Sequence, residues 1–126
     1  MEDFKLIVEQ KLSDGSFVLK PTQSKISLPI AFRIYKKMKA NLKFDAIKIC
    51  DELLIDGHHR YIASVIAGVS IERFQSTKNL TQSSFEWADV SLITVDYDES
   101  NLIDYHNYND ALRNDVTVAY IKKILE

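Results

Sequence analysis

The chain reads as a single α+β domain: a small mixed sheet with helices packed on it, followed by a helical C-terminal extension. Three observations carry that reading. Short apolar runs of strand length alternate with longer stretches of helical periodicity. Glycines and prolines fall at the ends of these runs rather than inside them. A length of 126 residues suits one domain with a real core and is too short for two. Hydrophobic residues make up 46% and charged residues 27%, a globular balance rather than a disordered one.

Residues 4–11 alternate, with Phe4, Leu6 and Val8 on one side, which predicts a strand. A turn at Asp14-Gly15 and a return over residues 17–20 make it a hairpin that Pro21 ends. Residues 22–25 form a polar loop, and Ile26 and Leu28 anchor an extended segment. A helix starts at Pro29, where a missing N–H costs nothing, and buries Ile30, Ile34, Met38 and Leu42 at a spacing of four. Residues 46–50 are a strand, Asp51-Glu52 a tight turn, and residues 53–55 its partner. A second helix opens at His58 with Ile62, Val65, Ile66 and Val69 on one face, and Gly68 is placed to terminate it. Residues 69–74 alternate as a strand. Residues 75–84 are a polar loop with the composition of a lid. Phe85 and Trp87 anchor the approach to a strand over residues 90–96. A short helix from Asp98 or Ser100 through Tyr105, a break at residues 107–109, and a final helix from Asp110 onward complete the chain. Val118, Ile121 and Leu125 share one face of that last helix.

A net charge of −2 gives no global field toward nucleic acid or anionic membrane. The single cysteine, Cys50, excludes an internal disulfide, suits a reducing compartment and has no zinc-site spacing around it, so it reads as core filler. No apolar run approaches the ~18 residues of a membrane span, and the start Met-Glu-Asp is unlike a signal peptide. The expected compartment is the cytoplasm, with no membrane partner, although a toxin module delivered without a signal peptide has the same composition. One local basic concentration exists. Arg33, Lys36, Lys37 and Lys39 lie on the side of the first long helix opposite its apolar stripe, with Phe32 among them. Such a face serves nucleic acid through phosphate contacts and stacking, or is simply solvated. Asp96, Asp98 and Glu99 either hold a divalent cation or mark the acid-rich start of a helix.

The densest chemistry is in Leu53-Leu54-Ile55-Asp56-Gly57-His58-His59-Arg60-Tyr61-Ile62-Ala63. A strand runs into Asp-Gly and then at once into a helix. The first helical N–H groups lack partners and carry the positive end of the helix dipole. Gly57 removes the Cβ that would hold a ligand off the backbone, and Arg60 offers a planar fork for phosphate oxygens. Together these make a phosphate-sized anion site from Gly57, His58, His59 and Arg60. On the helical wheel His58 falls with Ile62 and Val65, so a place in the core is equally open to it.

The run Asp56-Gly57-His58-His59-Arg60-Tyr61-Ile62-Ala63 resembles the signature of the ParB/sulfiredoxin-like superfamily. The likeness covers about residues 25–74, and residues 85–126 form an extension beyond it. Sulfiredoxins carry Gly-Cys-His-Arg at this turn and bind ATP there. ParB proteins carry a Gly-Glu-Arg-Arg type box on the phosphates of CTP, and a related free-serine kinase carries an Asp-Gly-His-Thr-Arg type sequence. The resemblance implies a nucleotide-phosphate cradle at Gly57, His58, His59 and Arg60. His58 replaces the sulfiredoxin cysteine, so thiol chemistry is not expected; His59 replaces the first arginine of the ParB box, which leaves ATP or CTP open.

Three functions follow as expectations. In the first, a nucleotide is bound and its phosphate hydrolysed or transferred: Asp56 holds Mg²⁺ and His58 or His59 acts as acid or base, with Asp51 and Glu52 as weaker candidates. In the second, a ParB-like nuclease or DNA-associated factor uses the basic helix as its track. In the third, the domain is a non-enzymatic regulatory or structural module. A complete chromosome-partitioning ParB does not fit the length.

Overall fold

In the computed structural model, residues 1–78 and 83–126 are described. The elements, in order, are α1 (Glu2–Ser13), β1 (Lys20–Pro21), β2 (Lys25–Ser27), α2 (Leu28–Lys39), β3 (Ile47–Cys50), β4 (Leu53–Asp56), α3 (His58–Ala67), β5 (Arg73–Gln75), a single 3-10 turn (Trp87–Asp89), β6 (Ser91–Ile93), α4 (Ser100–Asn114) and α5 (Val118–Leu125). The fold is α+β, as the periodicities predict. The sheet order is β1-β4-β3-β5, with β3 antiparallel to β4 and the two outer pairings parallel. A separate parallel pair joins β2 to β6. Pro21, which cannot donate, lies in the short edge strand β1. Of the polar loop expected over residues 75–84, residues 79–82 lie outside the described residues.

The expected N-terminal hairpin is not formed. Residues 2–13 are helical because Phe4 and Val8 are buried and Leu12 packs on the same cluster, a spacing of four. Leu6, which alternation would have buried, is 63% exposed. Glu2 and Asp3 in the first turn and Lys11 in the last also suit the helix dipole. The return segment is buried without being a hairpin strand. Leu19 has its N–H donated to the Tyr61 hydroxyl (3.1 Å) and its carbonyl accepting from Trp87 Nε1 (2.7 Å). Two aromatic side chains thereby supply the hydrogen bonds that a partner strand would otherwise provide.

The break expected at residues 107–109 is also absent, and α4 runs unbroken for 15 residues. The weak helix propensity of asparagine, a few tenths of a kcal/mol, loses to packing: Asn107, Asp110 and Ala111 are all buried. The chain turns instead at Asp115, in the left-handed region at φ 53. Strands are shorter than alternation suggested, with β5 covering Arg73–Gln75 and β6 only Ser91–Ile93. The main core gathers Phe4, Val8, Phe17, Ile26, Ile47, Leu54, Ile62 and Trp87 between the sheet, α1, α2 and α3. A smaller one, around Leu42, Ala111 and Ile121, fastens α4 and α5 to the end of α2. That second core sets α4 beside the start of α3.

Candidate functional site

The strand, glycine turn and helix start form as expected. Gly57 has φ 93, a conformation that L side chains rarely adopt, and a Cβ there would stand 2.8 Å from both Arg60 Nη2 and Ile47 Cγ2. The first intrahelical bond of α3 is Tyr61 N–H to the Gly57 carbonyl (2.8 Å), so the N–H groups of His58, His59 and Arg60 precede it.

Both histidines are fixed by backbone donors. Thr22 N–H donates to His58 Nε2 at 2.9 Å, and Ser27 N–H donates to His59 Nε2 at 3.0 Å. A nitrogen that accepts from an amide carries no proton, so in each neutral ring the proton is on Nδ1. Burial pushes His58 down to about 4, with the neighbouring His59 adding to the shift and Asp56 opposing it. Burial also lowers His59, opposed by Asp98 and assisted by Arg33. Near neutral pH both are uncharged rings offering an Nδ1–H. Each Nε2 lone pair is thus engaged by a backbone amide, a geometry that argues against the acid–base role expected of His58 and His59.

This makes acid sensitivity a prediction. Below pH 6.5 the unfolded chain takes up a proton at His58 that the folded chain refuses until about pH 4. Stability is therefore complete above pH 6.5 and falls across that window, by on the order of 3 kcal/mol for a shift of this size. Asp96, held down chiefly by its hydrogen bond from Arg33, acts below its ordinary 3.8 and outside this window. Urea midpoints between pH 7 and 4 should decline in the wild type and decline less in His58→Gln. Equal slopes would place the sensitivity elsewhere.

Arg60, expected as a fork for phosphate oxygens, is already engaged by the protein. Its Nη1 donates to the carbonyls of Asp45 (3.0 Å) and Ala46 (3.3 Å), and Nη2 lies 3.5 Å from the exposed Asp56 carboxylate. The guanidinium thus ties α3 to the entry of β3 while remaining at the mouth of a cleft.

That cleft has a volume of about 380 Å³. The α3 start forms one side. Ile30, Arg33, Ile34 and Lys37 come from α2, and Ile103, His106, Asn107, Asp110 and Arg113 from α4. Both sets recur at intervals of three and four, one face of a helix. Most of the charges inside are paired. Arg33 binds Asp96 and Asp98, the latter at 3.2 Å, and its guanidinium is held further in the charged form by them. Lys37 meets Asp110 at 2.6 Å, while Arg113 joins Asp110 (2.8 Å) to Asp45 (3.1 Å).

The expected basic face is therefore not a continuous one. Arg33 is neutralised by two acids, and Lys37 is buried against α4. Lys36 lies 4.5 Å over the Phe32 ring and bonds the Leu125 carbonyl, which leaves Lys39 as the exposed member of the four. Asp96 and Asp98 serve Arg33, and no cluster of three or more His, Cys, Asp or Glu converges among the described residues. Asp56 lines the cleft with its side chain 61% exposed, 3.5 Å from Arg60. The α4 wall was missed from sequence; reading α4 as one helix would have placed Ile103, Asn107, Asp110 and Arg113 on a single face.

The molecule is thus an α+β domain with a polar cleft at a helix start. Comparison of the chain with protein-family models, curated proteins and solved structures found no match in any of the three. Among the described residues no helix is long and apolar enough to cross a membrane.

Proposed function

We propose that the cleft binds a nucleotide through its phosphates, with the start of α3 as the cradle. The observation that supports this reading most is a convergence of donors. Three helix-start N–H groups, two histidine Nδ1–H groups and the Arg60 guanidinium belong to three consecutive residues that line one cleft. Such a set matches the oxygens of a phosphate. The resemblance of Asp56–Ala63 to the ParB/sulfiredoxin-like signature points the same way and would place the fold in that superfamily. Four cations and four carboxylates line the cleft, so a polyphosphate brings charge that the protein alone does not balance. Mg²⁺ held by Asp56, with phosphate oxygens and water completing its shell, would do so. With both histidines kept as donors, the reading is of a nucleotide-binding domain; any phosphate transfer would depend on the metal and on positioning. A nucleic-acid backbone offers similar oxygens, but the helix expected to track it has Arg33 and Lys37 committed to acids.

The test is calorimetric titration with ATP, CTP and ADP, each with Mg²⁺. Arg60→Ala should weaken binding about tenfold to hundredfold, the worth of a hydrogen bond to a charged group. It should also lower the melting temperature, because the bonds to the Asp45 and Ala46 carbonyls go with it. Equal affinities in a folded Arg60→Ala protein would overturn the assignment of Arg60 as a phosphate ligand.

A further inference from the structure

Two buried side-chain atoms among the described residues have no hydrogen-bond partner, His58 Nδ1 and Asn107 Oδ1. His58 is 1% exposed and Asn107 3%. Both residues line the same cleft, one from the first position of α3 and the other from the middle of α4. The two atoms are of opposite kind. Thr22 N–H occupies His58 Nε2, so Nδ1 is a donor, whereas Asn107 Oδ1 can only accept. A buried polar atom without a partner destabilises a fold, and each one calls for an explanation. This chain satisfies such atoms elsewhere, even in the irregular segment at Leu19.

We propose that Asn107 is a specificity-determining residue, and that the cleft takes a nucleoside phosphate held at both of these points. Its oxyanion meets the α3 start, including His58 Nδ1–H, and a sugar hydroxyl or base amino group donates to Asn107 Oδ1. The inference rests on the phosphate-binding reading above and adds the chemistry of the ligand's other end. Bare phosphate or pyrophosphate accepts hydrogen bonds and has little to give Asn107. The acids near Asn107 are already paired, Asp110 with Lys37 and Arg113 and Asp98 with Arg33, so what Asn107 adds to that wall is an acceptor rather than a charge. Ile34, Phe44 and Ile103 in the same cleft supply apolar surface for a sugar or base.

Titration of pyrophosphate and ADP, each with Mg²⁺, into wild type and Asn107→Leu tests this. Wild type should bind ADP at least about tenfold more tightly than pyrophosphate, and Asn107→Leu should lose about tenfold for ADP alone. Asn107→Ala, which cannot clash, should show the same split if the leucine variant fails to fold. Unchanged ADP affinity in a folded variant, or equal weakening of both ligands, would overturn the role of Asn107. A wild type that binds the two ligands equally defeats this inference alone. One that binds neither defeats the phosphate-binding reading, and this inference with it.

Discussion

Asp110→Ala is expected to destabilise the protein by about 3–5 kcal/mol, the cost of leaving one buried charge of an ion pair uncompensated. The stranded charge is Lys37, 4% exposed, with its ammonium 2.6 Å from Asp110. The two halves of the pair are not equivalent. Asp110 also receives Arg113 at 2.8 Å, so Lys37→Met leaves the carboxylate with a cation and should cost roughly half as much. The double variant Lys37→Met/Asp110→Leu should recover most of the loss, since a well-packed apolar pair often substitutes for a buried ionic one. Urea denaturation of the three variants decides the matter. A double variant as unstable as Asp110→Ala would mean that packing at this point, and not charge, is what the pair supplies.

Gly57→Val should be the most damaging single change at the motif. Holding a non-glycine residue in the left-handed region costs about 1–2 kcal/mol, and overpacking adds about 1–3 kcal/mol. Here the added Cβ would stand 2.8 Å from Ile47 Cγ2 in the core and 2.8 Å from Arg60 Nη2. The first contact damages the fold and the second displaces the guanidinium from the cleft, so stability and phosphate affinity should fall together. Gly57→Ala should show both effects in milder form. An alanine variant with an unchanged denaturation midpoint would show that the turn relaxes to accommodate the methyl group.

The centre of the chain was legible in its sequence because its signals are local. Pro29 near the start of α2, the Asp51-Glu52 turn, Gly57 before α3 and Gly68 after it are each conformational demands met within a few residues. The ends were misread for the same reason. In residues 4–8 an alternation and a spacing of four share Phe4 and Val8, and only the partners of Leu6 could separate them. In α4, residues 107–109 look like a break because the burial of Asn107 depends on a cleft shared with α2 and α3, far away in sequence. Lys37 reads as part of a basic face, open to nucleic acid or solvent, because nothing near it in sequence announces Asp110. The turn and helix start at one side of the cleft could be read from eight residues, whereas the α4 wall could not.

The salt link from Lys37 to Asp110 spans 73 positions, and Ser27 reaches Val95 across 68. Contacts this distant in a chain of 126 residues raise the average separation that folding must close, which slows folding relative to a helical bundle of equal size. They also impose an order on biosynthesis. A nascent chain can form β3, β4 and α3 while Asp110 is still inside the ribosome, with the Lys37 ammonium in water. The edge of the cleft at the start of α3 can therefore come into being before the α4 wall opposite it.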